Sequence, residues 1–404
     1  MFMRKFWFIL AFVLSQVVVA QQRTFTVRVK NGSMINRRDV PVVVDVRMVH
    51  FDVASARVTL NGREVPCQLD DMDGDFKVDE VVFLADVQAM QTRKYKVNIS
   101  SRGVQKVYEP RVYVHMGLND KYGKLPTIQG IEAPGDSYIF KDVYPHGAEF
   151  ESELTAYRVY VDNRQNIDLY GKRKRQLELE KTHFYSVQED LDAGYGNDVL
   201  WAGGSMGCGT LREFKDGGPV LIDDVKLRGQ RVVAYGPLRT VVEMKDMGWN
   251  GNHVVTRYIM YAGHREVEVQ VQADGALRHW QLCTGVQKVG ADPVGWTRQN
   301  GLAASWGSDY PDYGKKELYK PEAVGLGVYV PEAFFAGTAE DSLQYMCKLR
   351  LNKQHFLKYY VTFCADMEEN GYHSADEWFT YLQAWREEML TQPRIKYFIR
   401  LNNK

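Results

Sequence analysis

The chain has 404 residues, of which 45% are hydrophobic and 25% charged, and its 51 basic side chains balance 51 acidic ones. That composition suits a globular protein with a sizeable core, and a formal net charge of +0 gives no field that would draw it to nucleic acid or a membrane surface. Five scattered cysteines, Cys67, Cys208, Cys283, Cys347 and Cys364, exclude a dense disulfide scaffold and lack zinc-ligand spacing, so they read as small buried apolar side chains.

Residues 1–20 read as a secretory leader. "MFMRK" supplies a basic start, "FWFILAFVLSQVVVA" an apolar run, and Val18 and Ala20 the small residues of a cleavage point. An uncleaved anchor is the alternative. The absence of a cysteine just after Ala20 argues against a lipid anchor. The mature chain is expected to start at Gln21 and to be periplasmic or secreted. No later stretch approaches the ~20 apolar residues of a spanning helix, so no membrane span is expected once the leader is removed.

Period-two alternation, the strand signal, then dominates. "TFTVRVK" (24–30), "VPVVVDV" (40–46) and "ARVTL" (56–60) open the series. The stretch "DDMDGDFKVDE" (70–80) places Asp71, Asp73, Asp75 and Asp79 at positions 1, 3, 5 and 9 of a calcium loop. Phe76 stands where such a loop turns on glycine, and Val82 replaces the bidentate glutamate of position 12, which excludes an EF-hand proper. Between the strands expected at 65–69 and 81–85, Asp73-Gly74 also suits a hairpin turn. A weak calcium site at 71–79 and a solvated hairpin tip are both open readings; calcium is the one cofactor the sequence suggests.

The densest polar and aromatic segment is "YPHGAEFESELTAYRVYVDNRQNIDLYGK" (144–172). Strict alternation through it puts Glu151, Glu153, Thr155 and Tyr157 on one face, and Phe150, Leu154, Arg158, Tyr160 and Asp162 on the other. Chemistry on an acidic sugar needs a cation for the carboxylate, aromatic faces for the ring and a proton-exchanging group. His146, Glu151, Glu153, Tyr157 and Arg158 are therefore the candidate catalytic residues. Tyr160, Asp162, Arg164 and Lys172 are candidates for binding substrate, with His183, Trp201 and Trp306 as further walls of the site. Cross-strand charge pairing and core packing account for the same residues without a site. The basic run "GKRKR" (171–175) reads as a solvated loop.

"GGSMGCG" (203–209) has neither the lysine nor the strand–helix context of a phosphate loop, and Ser205 does not sit in G-x-S-x-G. Residues 253–273 read as a long hairpin turning at "AGH", with Val267, Val269 and Val271 on one face. Residues 306–320 read as an aromatic loop. One helix is predicted, 374–390, with Ser374 and Glu377 as a capping box and Trp378, Leu382 and Trp385 on its packed face. These elements predict a mainly β fold: a large antiparallel β-supersandwich over 21–404 with one C-terminal helix, in which 21–108 can form a small N-terminal sheet. The ~40–50-residue repeats of a propeller are missing.

"HGAEFESELTAYRVYVDNRQNIDLYGK", "GYGNDVLWAGGSMGCG" and "DDMDGDFKVDE" together resemble a domain-of-unknown-function family of secreted bacterial proteins encoded among polysaccharide-degrading genes. The resemblance covers most of the mature chain. It implies a galactose-mutarotase-like β-sandwich and a role in glycan breakdown, and it assigns no residue roles. The expected partner is an oligosaccharide or polysaccharide, acidic in character, and not a nucleic acid. The leading expectation is lyase or dehydratase chemistry on uronate-containing oligosaccharides, with Arg158 or Lys172 neutralising the carboxylate. Glycoside hydrolysis and non-catalytic glycan binding are the alternatives.

Overall fold

Alternating apolar residues produce antiparallel sheets throughout the computed structural model, which describes residues 20–399 except 121, 276, 278, 279, 317 and 318. The leader read at 1–20 therefore lies, but for Ala20, outside the described residues. Among the described residues no helix is long and apolar enough to cross a membrane.

A nine-stranded sheet forms the centre, running in order from Val294–Thr297 through Leu302–Asp309, Glu322–Tyr329, Phe356–Ala365, Val267–Ala273, Asn252–Tyr261, Arg239–Trp249 and Leu227–Tyr235 to Gly130–Pro134. The predicted hairpin lies within it, with Met260 opposite Val267 and Val254 opposite Ala273. Two five-stranded sheets share one core with the nine-stranded sheet, and both supply Val and Leu to it. The first comprises Val112–Leu118, Val143–Ser152, Ala156–Tyr160, Ile167–Gly171 and Asn197–Asp198. All five cysteines are buried and unpaired, each acting as a small core side chain.

The helix Ala375–Leu390 lies on the other face of the central sheet. Ser374 Oγ accepts from Glu377 N, and the Glu377 carboxylate accepts from His373 N. Trp378 and Leu382 pack over Gly325 and Gly327, where an added Cβ would stand 2.6 and 2.5 Å from those side chains. Two glycines in a strand here make room for a helix. Trp306 is half-buried in this same cluster, so the wall role expected for it gives way to packing beneath the helix.

The N-terminal strands close a second, separate core around Val27, Val42, Phe83, Tyr95 and Val97. Its edge strand, Arg394–Lys396, returns from the far end of the chain to pair with Gln22–Lys30. The two cores meet across a polar junction. Arg239 donates to Asp70 and Glu80, and Gln68 bonds the backbone of Leu238 and Arg239.

His264 adds a further clasp at this junction. Its Nδ1 is 2.8 Å from Glu266 Oε1 and its Nε2 is 2.8 Å from the Asp39 carbonyl oxygen. Two acceptors, one on each ring nitrogen, can both be satisfied only by the doubly protonated ring. Burial opposes that charge, and Glu266 with Asp39 overcomes it, raising the pKa to about 9. The unfolded imidazole titrates near 6.5, so this stabilisation is fully present below pH 6.5 and lost as pH rises through about 9. Thermal unfolding across that window is expected to show a loss of ~3 kcal/mol. His264→Gln should flatten the slope; an unchanged slope in the variant would contradict the assignment.

Candidate active site

The first five-stranded sheet presents its polar face away from the core, and there the expected alternation breaks. Residues 152–155 form the turn between two strands, with Ser152 N bonded to Thr155 O and Glu151 paired with Ala156. This turn inverts the parity of the next strand, since one residue of slip exchanges the two faces. Glu149, Glu151 and Arg158 point outward, whereas Phe150, Tyr157 and Val159 enter the core. Tyr157 thus packs on Phe150 and Phe363, and its hydroxyl donates to the Arg265 carbonyl. Cross-strand pairing aligns His115, Glu149, Arg158 and Asp168 in one row over four strands.

At one end of this row lies a cavity of about 530 Å³. Its floor carries Asp168, Asp198, Tyr160 and Asn166, and its walls include His146, Tyr185, Trp201 and Tyr319. Arg158, fully buried behind it, is ion-paired with Asp168. It donates to the Tyr185 hydroxyl at 2.7 Å and the Tyr160 hydroxyl at 2.9 Å. The nitrogen that meets Asp168 also lies 3.7 Å from Asp198 Oδ2. The guanidinium is stacked on Phe184, Tyr160 and Tyr185, so its charge is consumed within the protein. Burial, followed by the charge of Asp168, pushes the Asp198 carboxyl well above the usual carboxylate range, and Arg158 offsets this only in part.

His146 enters the cavity from a bulge. The register of Val143–Ser152 against Val112–Leu118 shifts between Tyr144 and Glu149, and His146 sits in the bulge with φ 67°. Bulges of this kind re-aim a side chain out of the regular ladder. The ring stacks on Tyr160 at 6.0 Å, and Nδ1 donates to the Phe140 carbonyl at 3.0 Å. That bond fixes the tautomer and leaves Nε2 as the acceptor. Burial lowers the pKa and Arg158 lowers it further, so the ring is held neutral.

The other sequence candidates have different places. Arg164 lines the cavity mouth, 43% exposed and bidentate to Asp162, whose other oxygen caps the turn at Arg164 and Gln165. Glu151 and Lys172 form a buried ion pair beneath the sheet face, where Glu151 also receives the amides of Glu178 and Leu179. Lys172 is therefore structural, not part of a solvated run. Glu153 accepts from Arg111 and from Gly263 N at the junction. Since Arg158 and Lys172 are both enclosed and paired, neither can meet a substrate carboxylate as the sequence suggested. His183 faces Glu149, outside the cavity lining.

Asp168, Asp198 and Tyr185 were not singled out from the sequence, whereas Tyr319 belongs to the aromatic loop read at 306–320. Asp168 lies on the return strand of the same hairpin, ten residues after Arg158, and that spacing was a legible signal. Asp198 belongs to a strand of two residues, too short for any periodicity. Two further short helices, Leu179–Thr182 and Gln188–Asp192, carry the chain between these sites.

In the acidic stretch, nine residues separate the paired Asp70 and Glu80, so Asp73-Gly74 is not a two-residue hairpin. The carboxylates of Asp71, Asp73 and Asp79 converge within 4.8 Å, whereas Asp75 stands outside the group and accepts from Lys77 N. Asp71 holds the amides of Gly74 and Phe76, and Asp79 that of Met72. The Met72 carbonyl accepts from Arg231 and Arg257, which ties the loop to the central sheet.

Residues 29–395 match the profile of a family described as a domain of unknown function (DUF4861). The chain belongs to that family. No curated protein matches it in sequence. Among solved structures it is similar to a glycosyl hydrolase family 38 protein and to an α-mannosidase, both from Enterococcus faecalis. Each is 8% identical, with a TM-score of 0.46 over 94% of this chain. The chain spans 48% and 46% of those two chains, about half their length.

Proposed function

We propose that the chain is an exported carbohydrate-active enzyme that cleaves a glycosidic bond in the Asp168–Asp198 cavity. The observation that carries this reading is the carboxylate pair, with both members facing one nitrogen of Arg158 in an aromatic-walled cavity. Glycosidases pair two carboxyl groups across the scissile bond and keep one protonated, and both carboxylates here approach one guanidinium nitrogen. Asp198, raised by burial and by Asp168, is the proton donor to the leaving oxygen. Asp168 faces the developing positive charge on the sugar. Water adds to the anomeric carbon as the glycosidic bond breaks, and His146 Nε2 accepts its proton. Trp201, Tyr160 and Tyr319 offer rings for the sugar faces.

Elimination is supported less well, because it needs an available cation beside the substrate carboxylate, and Arg158 and Lys172 are both spent. Incubation with uronate-containing oligosaccharides separates the readings. New reducing ends without enol-ether absorbance are expected. Absorbance would favour a lyase, binding without turnover would favour a recognition module, and neither binding nor turnover would remove the carbohydrate reading.

A further inference from the structure

Two strands from the cavity, the same face of the sheet holds a second constellation. His115 Nδ1 is 3.1 Å from Glu149 Oε1, and His183 Nδ1 is 2.9 Å from the same oxygen. The three ligand atoms lie within 4.8 Å of one another. Glu149 is fully buried, and its second oxygen, Oε2, is buried with no hydrogen-bond partner. Its cross-strand neighbour Arg158 is committed to Asp168 and two tyrosines, so among the described residues Glu149 pairs only with these two imidazoles. A buried carboxylate with an unsatisfied oxygen calls for a cation, because desolvating an unpaired charge is costly.

We infer that His115, Glu149 and His183 form a binding site for a zinc-type divalent cation. Two imidazoles and one carboxylate make a three-ligand set of the kind that leaves a fourth position open. Ligand atoms bound to one zinc at 2.0–2.1 Å stand about 3.3 Å apart across a tetrahedron, so the two His–Glu contacts need open by only tenths of an ångström, while the imidazole nitrogens lie within 4.8 Å of each other. Glu149 Oε2, buried and without a hydrogen-bond partner, is uncommitted to any other group. Tyr113 stacks on His115 and Tyr144 meets His183 edge-on, which shields the site on both sides. His183, 31% exposed, provides the entry path. The histidines reach the site from different elements, His115 from Val112–Leu118 and His183 from the end of helix Leu179–Thr182. The ion would thus pin that helix to the sheet, and the inference does not depend on the reaction proposed for the cavity.

The test uses the full chain freed of metal with a chelator and titrated with zinc alone. One zinc per chain by metal analysis and calorimetry, with a raised melting temperature, is expected. Cobalt in its place should give the visible absorption of a nitrogen-ligated site of low coordination number. His183→Ala, at a partly exposed position, should weaken binding about 100-fold or more, and His115→Gln likewise. Asp73→Ala should bind as tightly as the parent, which separates this site from the acidic loop, and Asp198→Asn should do the same. No heat at millimolar zinc, or affinity equal to the parent's in both histidine variants, would overturn the inference and leave a hydrogen-bonded His–Glu–His cluster.

Discussion

Replacing Asp198 by Asn is expected to lower kcat by about 10²–10⁴-fold, the usual contribution of a positioned proton donor, while oligosaccharide affinity stays near that of the parent. The amide keeps the shape of the carboxyl and its contact with the Leu200 amide through Oδ1, so binding geometry should survive. What it removes is the transferable proton. The pH profile distinguishes this from a structural effect. An acid must be protonated to donate, so parental activity should fall as pH rises through the raised pKa of Asp198. A base must be neutral to accept, so activity should also fall when His146 takes up a proton, below its ordinary value of 6.5. In Asp198→Asn the alkaline limb should vanish and the acid limb remain. A variant with both limbs intact would remove Asp198 from the chemistry.

Arg239→Ala is expected to cost about 3–5 kcal/mol of stability, the penalty for stranding a buried charge. Asp70 is 3% exposed and receives both Arg239 and Gln68 at the junction of the two cores. Burial raises its pKa and Arg239 pulls it back, so without the guanidinium the carboxylate must take a proton or draw in water. Glu80, 22% exposed, keeps a share of solvent and loses less. Denaturant unfolding measures the effect. Pairing Arg239→Met with Asp70→Leu should restore most of the loss, because an apolar pair of similar volume replaces both desolvated charges. If the single variant lost under 1 kcal/mol, the junction would not be holding the two cores together.

The sheets were legible because one buried face forces period-two alternation, as in Val267, Val269 and Val271. The helix was legible because Ser374 and Glu377 mark its start and Trp378, Leu382 and Trp385 share its face. The site was legible only in outline. His146, Tyr160, Arg164 and Trp201 do line one cavity, whereas Glu151, Tyr157 and Lys172 do not. The turn at 152–155 inverts parity and exchanges Tyr157 for Arg158 as the partner of Glu149, whereas Glu151 and Lys172 are withdrawn by their own buried ion pair. Asp198 and His115 come from distant strands, and only tertiary pairing brings them to the sheet face that Arg158 occupies. Trp306 could not be told from a wall residue by sequence, since a helix-packing tryptophan and a sugar-stacking one look alike.

The decisive measurement is a crystal structure of the Asp198→Asn variant soaked with a uronate-containing oligosaccharide. A sugar ring between Trp201 and Tyr160, with its glycosidic oxygen against the substituted amide at position 198 and its anomeric carbon toward Asp168, is expected. An oligosaccharide bound elsewhere on the molecule, with the cavity holding only solvent, would refute the assignment of the Asp168–Asp198 cavity as the site of glycosidic cleavage.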